Sequence, residues 1–427
     1  MNKLTELIKN DMKPALGVTE PGAIAYAVAM ARNHASGRIE QVTLRLNSGM
    51  FKNAFTCGIP GIREVGNEYA AALGAVAANP AKGLECLAGI TEAEKVEAKA
   101  MAESGKITVE IQEITSRIFI EAAVTTAEGN AVVTIQDAHT NIVKITENGS
   151  TIFEKEQETA KKKEDGHLIY QYTLEQLYTY ADTVPVEEIE FIKDAFTMNQ
   201  ELMLEGLDSD RTTYAPFLLE ANGGKLLSAD ERKTASLFCN AAIEARVIGL
   251  SRPAMSITGS GAHGIIATMP LYAVTKVNDY SEETLLRATA LSYLVCMYIK
   301  EYSGKLSAFC GCAIAAGTGM ACGLVFLRGG KTEQMTKTIQ NMASSITGML
   351  CDGGNQGCTM KGIVAVDAAF ASVNMAMKDV YINNVHGING KTPEETMRNM
   401  GLIASPGMIG TEKTIIDILD EKGKRFR

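Results

Sequence analysis

The stretch that decides the fold class is residues 106–155, which read KITVEIQEITSRIFIEAAVTTAEGNAVVTIQDAHTNIVKITENGSTIFEK. Short runs within it alternate apolar and polar residues or are rich in β-branched side chains, as β-strands are. The segments TAEGNA and TENGST separate some of these runs, and the second contains an Asn-Gly pair that is typical of a tight hairpin turn. The stretch therefore predicts an antiparallel β meander that packs on helices.

The sequence before this stretch mixes helical and strand patterns. The first 35 residues predict one or two helices around a turn at Gly17–Pro21. Residues 40–47 (EQVTLRLN) alternate like a strand, and residues 62–103 return to an alanine-rich helical pattern. We interpret residues 1–165 as one mixed α/β region, with its β structure concentrated in the stretch quoted above.

The sequence after this stretch is almost wholly helical in pattern. Residues 156–167 (EQETAKKKEDGH) are charged and poor in apolar residues, which predicts a linker and a domain boundary. Beyond them, helical spacing or continuous small apolar sequence predicts helices over Val184–Leu207, Ala229–Leu250, Ser281–Lys300, Ser307–Leu327, Thr332–Met349 and Ile363–Lys378. Residues 166–427 are thus predicted to form a large helical domain, and the fold class is α+β.

The composition bounds the partners and the location of the chain. Hydrophobic residues make up 46% and charged residues 21%, as in ordered globular proteins, and the net charge of −9 argues against nucleic-acid binding. The segment Phe309–Leu327 has 19 residues without a charge, but its Gly, Ala and Cys content favours a buried helix over a membrane span. The polar start MNKLTELIKN is unlike a signal peptide, so we expect a cytoplasmic protein without a membrane partner. The large apolar content predicts a homodimer.

Five of the nine cysteines lie between residues 310 and 358. Cys310 and Cys312 lie in SAFCGCAIAAG, and Cys351 and Cys358 flank a glycine-rich turn in GMLCDGGNQGCTMKG, where one is expected to close a helix and the other to open the next. Such turns direct backbone N–H groups and thiolates into one space, which favours a sulfur-ligated cluster. The spacing matches neither zinc ribbons nor ferredoxins. From spacing alone, core packing and thiol catalysis remain alternatives to metal binding.

A glycine-rich segment, GSGAHG at 259–264, matches the G-x-G-x-x-G pattern of dinucleotide-binding proteins, and Asp279 follows Gly259 by 20 residues. A nucleotide-dependent oxidoreductase is therefore one candidate. Against it, Pro270 is expected to end any helix after about one and a half turns, and the surroundings are helical rather than βαβ. We instead expect a helix start whose N–H groups hold a substrate carboxylate, with Ser260 and His263 lining it.

Several motifs together make the chain resemble, over nearly its full length, the cysteine desulfidase and serine-dehydratase-like family. These motifs are KPALGVTEP at 13–21, MFKNAF at 50–55, AHTNIV at 138–143, PAMSITGSGAHGIIATMP at 253–270, GKLSAFC at 304–310 and GMLCDGGNQGCTMK at 348–361. The resemblance implies a [4Fe–4S] cluster held by Cys310, Cys351 and Cys358, with Cys312 as a rival for the first ligand. It implies no pyridoxal phosphate.

The resemblance also implies an activity, namely a lyase that removes the β-substituent of a small amino acid. L-cysteine would give hydrogen sulfide, pyruvate and ammonia, and L-serine would give pyruvate and ammonia. Three protein thiolates on four irons leave one iron open as a Lewis acid for the substrate. A base must then remove the α-proton.

The first motif departs from the desulfidase pattern, which has a cysteine where this chain has Val18. In the family that cysteine is regarded as the proton-transferring residue, and a valine side chain cannot take a proton. Glu20 and His263 are the candidates to act as the base, with His139 as a further one, and Cys57 in AFTCGIPG could supply a thiol from a neighbouring loop. An altered specificity, or a non-catalytic homologue that binds a small amino acid, is the alternative.

The other polar residues of the family motifs are candidate substrate contacts. They are Thr19, Asn53, His139, Asn141, Gly259, Ser260, Gly261, Lys305 and Ser307. Lys305 could pair with a carboxylate or offset the charge of a cluster, or it could be an ordinary exposed lysine. His139 is expected at the end of a strand. His386, in the loop NNVHGING, could close over a site.

Overall fold

The N-terminal segment folds into short elements around the motif KPALGVTEP. In the computed structural model, which describes residues 2–155 and 168–426, helix α1 (Lys3–Asp11) is followed by strand β1 (Lys13–Leu16) and helix α2 (Thr19–Asn33). Gly17 has a φ of +65° between β1 and α2, a conformation that only glycine adopts without strain. The predicted turn and helices are confirmed, whereas β1 was not predicted.

A six-stranded sheet carries the β-rich stretch. Its strands are β2 (Ile39–Asn47), β3 (Ile107–Glu113), β4 (Phe119–Thr126), β5 (Gly129–Gln136), β6 (Ile142–Glu147) and β7 (Ser150–Glu154). The strand order is β3-β2-β4-β5-β6-β7, with β2 and β3 parallel and every other pair antiparallel. The predicted antiparallel meander is confirmed for β4 to β7.

Strand β2 lies inside the sheet rather than before it. Its Leu44 pairs with Val109 of β3 on one side and with Ala122 of β4 on the other. Val42, Leu44 and Leu46 are fully buried, which suits a central position. By contrast, all five residues of β7 are exposed, as an edge strand tolerates.

Three helices complete the N-terminal region, namely α3 (Ser48–Ala54), α4 (Asn67–Val76) and α5 (Glu92–Glu103). Helix α4 packs closely against α2 because both are rich in alanine and glycine. A Cβ atom added at Gly74 would lie 2.5 Å from the carbonyl oxygen of Ala25, so only glycine allows this approach. The helical pattern predicted over residues 62–103 is confirmed.

The chain beyond residue 168 is mostly helical, as predicted. Its helices are α6 (Leu174–Thr183), α7 (Val186–Ile189), α8 (Lys193–Asp208), α9 (Tyr214–Ala221), α10 (Glu231–Val247), α11 (Gly261–Asn278), α12 (Glu282–Ser303), α13 (Gly317–Leu327), α14 (Thr332–Ile346), α15 (Gly357–Ala376), α16 (Pro393–Leu402) and α17 (Ile409–Phe426). Strand β8 (Pro253–Ser256) pairs antiparallel with β1. The α+β fold class is confirmed.

The expectation that Pro270 ends a helix was wrong. Helix α11 runs through Pro270 and continues to Asn278. A proline inside a helix removes one backbone hydrogen bond and crowds the preceding turn. Here Pro270 is buried among neighbouring helices, whose packing offsets that local cost.

Two hydrophobic cores hold the molecule, one between the sheet and α2–α5 and one among the helices that follow. Each core also takes side chains from the other end of the chain. Leu4 and Ile8 of α1 belong to the helical core, and Ile415 and Leu419 of α17 belong to the core of the sheet. The domain boundary predicted near residue 165 stays a prediction, and the linker predicted at 156–167 lies outside the described residues.

The uncharged segment Phe309–Leu327 lies within the helical core. A π-helical turn (Cys312–Ala316) precedes α13, and nearly all of their side chains are buried. In the described part of the chain, no helix combines the length and the apolar character needed to cross a membrane.

Candidate functional site

Cys310 and Cys351 are held side by side by a short antiparallel bridge. The N–H of Cys310 donates to the carbonyl of Met349 at 3.0 Å, and the N–H of Cys351 donates to the carbonyl of Ala308 at 2.5 Å. Cys358 lies in the first turn of α15, as expected. Cys351 does not close a helix, because α14 ends at Ile346 and the chain then extends into the bridge.

The glycine-rich turn between Cys351 and Cys358 packs against α3 and the start of α2. Gly353 has a φ of +111°, and a Cβ there would lie 2.4 Å from the carbonyl oxygen of Lys52. A Cβ at Gly354 would lie 2.9 Å from both the Asn53 carbonyl oxygen and Val18 Cγ1. The Gly-Gly pair is therefore needed for this close approach of two backbones.

The three cysteines predicted as cluster ligands influence one another's ionisation. Burial raises the pKa of Cys358 to about 12, with Cys351 and Cys310 raising it further and Lys361 opposing the shift. Burial likewise raises the pKa of Cys351. Burial lowers the pKa of Lys361, but its pairing with Asp352 and the charges of all three thiols outweigh this and raise it. The three thiols and the half-buried cation of Lys361 therefore lie close enough to act on one another's ionisation.

This set of donors fits a cluster better than a single ion. Among residues 2–155 and 168–426, no three His, Cys, Asp or Glu side chains lie close enough to hold one metal ion. The ligands of a four-iron cluster lie farther apart than those of a single ion, because each thiolate binds a different iron. Three mutually interacting thiols beside the cation of Lys361 suit such a negatively charged group.

Cys310 and Cys312 occupy different positions in this arrangement. Cys310 interacts electrically with Cys351 and Cys358, and its hydrogen bond with Cys312 together with burial raises its pKa. Cys312 is half-buried, lines a cavity and begins the π-helical turn, a distortion common at functional sites. Cys310 thus interacts electrostatically with both other candidate ligands, and the choice between Cys310 and Cys312 as the first ligand stays a prediction.

A cavity of about 190 Å³ lies directly beside Cys351 and Cys312. The predicted site residues that line it are Glu20, Asn53, His139, Gly259, Ser260, His263, Lys305 and Ser307. Residues from six separate family motifs thus meet around one small space. A larger groove of about 640 Å³ lies elsewhere and is lined by residues of α2, α4 and α5. We take the smaller cavity as the site because the predicted chemistry converges there.

Glu20 stands at one wall of the cavity in a polar cluster. Its Oε1 accepts a hydrogen bond from Asn53 Nδ2 at 2.9 Å and lies 3.7 Å from His139 Nε2. Burial alone would raise the pKa of Glu20, but His139 and Asn53 outweigh it and lower the pKa to about 2. His139 lies in the loop after β5, and its Nε2 is buried without a hydrogen-bond partner among the described residues. Glu20 is therefore a fixed negative charge rather than a ready proton acceptor.

In contrast to the ionised Glu20, His263 is uncharged. Burial lowers its pKa well below the ordinary value, and the charge of Lys300 lowers it further, so the ring is neutral. Its Nδ1 shares a hydrogen bond with the hydroxyl of Thr258, and its Nε2 would lie 2.7 Å from a Cβ at Gly311. Thr258 has a φ of +52°, which is strained for a β-branched residue and typical of functional sites.

Besides the exposed Asp137, two charged residues that line the cavity were not predicted. Asp11 ends α1, accepts a hydrogen bond from the N–H of Thr258, and has its pKa raised by burial. Lys300 is buried in α12, donates to the carbonyl of Gly304 at 2.9 Å, and has its pKa lowered by burial. Both could have been recognised from the local sequence. Asp11 is an acid at the C-terminus of a helix, where a negative charge is unfavourable, and Lys300 is a lysine within the apolar run ALSYLVCMYIK.

Val18 and Cys57 lie together behind the glycine-rich turn. Val18 is 3% exposed, and both side chains approach the position that a Cβ of Gly354 would take. Burial and the charge of Glu20 raise the pKa of Cys57 well above its ordinary value, so its thiol is protonated. A buried thiol therefore stands beside the valine that replaces the family's cysteine.

The remaining predicted residues support the cavity or lie apart from it. The hydroxyl of Thr19 donates to the carbonyl of Gly259 at 3.3 Å, which ties α2 to the glycine-rich segment. Asn141 holds the loop after β5, donating to the carbonyl of Gln136 at 2.9 Å, and does not line the cavity. Gly261 is the first residue of α11. His386 is exposed on the surface, away from the cavity walls.

Lys52, from the MFKNAF motif, links the site to α17. Its Nζ lies 2.6 Å from Glu412 Oε2 and donates to the carbonyl of Ser307 at 3.2 Å. The side chains of Lys52 and Glu412 are 1% and 6% exposed. The charge of Lys52 also lowers the pKa of Cys351. This buried ion pair therefore joins α3, α17 and the wall of the cavity.

The comparison with known proteins assigns a family to this arrangement. The family described as serine dehydratase alpha chain matches residues 81–417. The chain belongs to this family. The matched range contains Cys310, Cys351 and Cys358, whereas the motif with Val18 and Glu20 precedes it.

Relatives extend the similarity over nearly the whole chain. A UPF0597 protein of Clostridium botulinum (strain Langeland, type F) is 42% identical over 99% of both chains. UPF0597 proteins of Caldanaerobacter subterraneus and Clostridium tetani are 35% and 33% identical, over 98% and 97% of both chains. The resemblance inferred from the motifs is thus confirmed.

Proposed function

We propose that this serine dehydratase family member is an iron–sulfur-dependent lyase that eliminates the β-substituent of a small amino acid. L-serine would yield pyruvate and ammonia, and L-cysteine would yield pyruvate, ammonia and hydrogen sulfide. The observation that carries the proposal is a small cavity that is lined by charged residues and lies beside Cys351. Cys351 belongs to a group of three thiols that interact electrostatically.

In this proposal Cys310, Cys351 and Cys358 hold a [4Fe–4S] cluster. When bound, such a cluster with one iron free of protein ligands supplies a Lewis acid for the β-hydroxyl or β-thiol. The cation of Lys361 offsets the negative charge of the thiolates. The tie between the Cys310 and Cys351 backbones keeps these two ligands in register.

The walls of the cavity suit an amino acid zwitterion. Glu20, which stays ionised because its pKa is about 2, is available to the substrate ammonium group. The N–H groups at the start of α11, next to Gly259 and Ser260, are available to the carboxylate. Holding both ends of the substrate fixes the orientation of the α-carbon.

Of the two predicted proton acceptors, His263 suits the role better than Glu20. A carboxylate with a pKa of about 2 is a weak base. The ring of His263 is neutral, and in the tautomer whose Nδ1 donates to Thr258 the free electron pair is on Nε2. We propose that Nε2 takes the α-proton and that Glu20 binds the ammonium group.

Val18 favours a second candidate, an amino-acid-binding homologue without turnover. Its buried hydrocarbon side chain cannot transfer a proton, and the neighbouring Cys57 is fully buried. Such a protein would be stabilised by L-serine or L-cysteine without forming pyruvate. Val18→Cys would then create activity, whereas it would change little in a chain that already turns over its substrate.

The deciding experiment is anaerobic reconstitution with iron and sulfide, followed by a screen of L-serine, L-cysteine and related amino acids for pyruvate release without added pyridoxal phosphate. Cys358→Ser should lose both iron and activity. Cys322→Ser is the control, because Cys322 is a fully buried thiol of α13 that lies outside the three-thiol group. A protein with a full complement of iron and no product from any of these amino acids would refute the lyase.

A further inference from the structure

The last turn of α10 carries an arginine, Arg246, that has no hydrogen-bond or ion-pair partner among the described residues. Arg246 is 5% exposed. Within the described ranges its side chain forms no hydrogen bond or ion pair, and its Nε is fully buried without a partner. Burying an unpaired charge is strongly unfavourable, and buried charges are normally paired. Arg246 is thus a buried cation without a directly paired anion in the described part of the chain.

Arg246 is directed at the start of α11. A Cβ added at Gly261, the first residue of this helix, would lie 2.6 Å from Arg246 Nε. Helix α11 has 18 residues, and its N-cap residue Ser260 makes no capping hydrogen bond within the described structure. The N-terminus of a helix is itself partly positive, so a guanidinium beside it repels the helix and adds to its attraction for an anion.

Among the described residues, no carboxylate lies within hydrogen-bond or ion-pair distance of Arg246, although the charge of Glu20 acts on it from farther away. Glu20 of α2 is the carboxylate whose pKa Arg246 lowers, but its Oε1 is engaged by Asn53 and faces His139. Cys57 is protonated, and His263 of α11 is neutral. The positive charges of Arg246 and of the helix start therefore remain for a ligand.

We propose that the N-terminus of α11 and the guanidinium of Arg246 form the subsite for the α-carboxylate of the substrate. This inference rests on the proposed function and assigns the two ends of the amino acid to two walls of the cavity. Ser260 and His263 at the start of α11 line the cavity, whereas Arg246 lies behind them and acts as the counter-charge of the bound carboxylate. A positioning residue of this kind makes a free carboxylate a requirement for binding.

The inference predicts opposite effects of one substitution on stability and on binding. Arg246→Gln removes an unpaired buried charge, so its melting temperature without ligand should equal or exceed that of the wild type, whereas loss of a structural ion pair would lower it. The KM for L-serine should rise by about 30-fold or more. L-serinamide, which lacks the carboxylate charge, should bind wild type and variant equally. Arg246→Lys should recover part of the affinity.

Two further variants keep the test decisive. Arg252→Gln is the control, because Arg252 is 57% exposed and its loss should leave binding unchanged. Gly261→Ala retains the arginine but places a methyl group against its Nε, and should weaken L-serine binding without affecting L-serinamide. If Arg246→Gln fails to fold, Arg246→Lys and Gly261→Ala decide.

Calorimetry on cluster-free protein separates this inference from the proposed function. Binding of L-serine that is lost in Arg246→Gln would support the subsite, and it would do so even if the wild type, once reconstituted with a full complement of iron, forms no pyruvate and the lyase is thereby refuted. Pyruvate formation with an unchanged KM for L-serine in both Arg246→Gln and Gly261→Ala would support the lyase and overturn the subsite.

Discussion

The buried ion pair between Lys52 and Glu412 gives a quantitative prediction. Lys52→Met removes the cation and leaves the Glu412 carboxylate 6% exposed, with its Oε1 already lacking a hydrogen-bond partner in the described structure. Removing one partner of a buried pair costs about 3–5 kcal/mol. Unfolding entropy scales with chain length, so for 427 residues this corresponds to a fall in melting temperature of about 4 °C.

The assay is urea and thermal denaturation of a matched set of variants. Lys52→Met combined with Glu412→Leu removes both charges and should recover to within about 1 kcal/mol of the wild type. Lys413→Met breaks an exposed pair with Asp417 one residue further along α17, and should cost about 0.5 kcal/mol or less. If Lys52→Met costs no more than Lys413→Met, or if the double variant is no better than the single one, the reasoning is refuted.

Three further predictions concern the site itself. Cys310→Ser should abolish iron incorporation on anaerobic reconstitution and Cys312→Ser should leave it near the wild-type level; the reverse, in iron and sulfide analysis, would make Cys312 the ligand. Gly354→Ala forces a Cβ to within 2.9 Å of Val18 Cγ1, so iron incorporation should fall although every cysteine remains; unchanged iron content would contradict the close packing. Glu20 has its pKa lowered from 4.5 to about 2, so its ionised form stabilises the fold by about 3 kcal/mol above pH 4.5, and this is lost as the pH falls toward 2. Glu20→Gln should therefore be less stable than the wild type in urea at about pH 7, and a constant difference down to the lowest pH would contradict this.

Local sequence patterns were sufficient for most of the fold. The period-two runs of residues 106–155 became β3 to β7, and the helical spacing after residue 168 became helices near the predicted positions. The partner order was not encoded locally. Strand β2 lies between β3 and β4 because burial of Val42, Leu44 and Leu46 requires neighbours on both sides, and α11 continues through Pro270 because other helices enclose it.

The candidate site was predictable where a residue belongs to a compact motif. Glu20, Asn53, His139, Ser260 and His263 come from four separate motifs and meet at one cavity. Asp11, Lys300 and Arg246 were missed; the first two carry a local signal, but nothing in the immediate sequence shows that any of them lies beside the cavity. The burial of a charge is a property of the tertiary structure, and so are the pKa shifts that follow from it.

Helix α1 packs in the core of the later helices and α17 packs in the core of the sheet, and this has a consequence for folding during synthesis. When a ribosome has made the sheet and α2–α5, the side chains of Ile415 and Leu419 that complete their core do not yet exist, and α1 has no helical partners. Glu412, which pairs with Lys52, follows it by 360 residues in the chain and is therefore made much later. The core of the sheet is incomplete until α17 has emerged, so a nascent or truncated chain exposes apolar surface and is a ready substrate for chaperones and proteases.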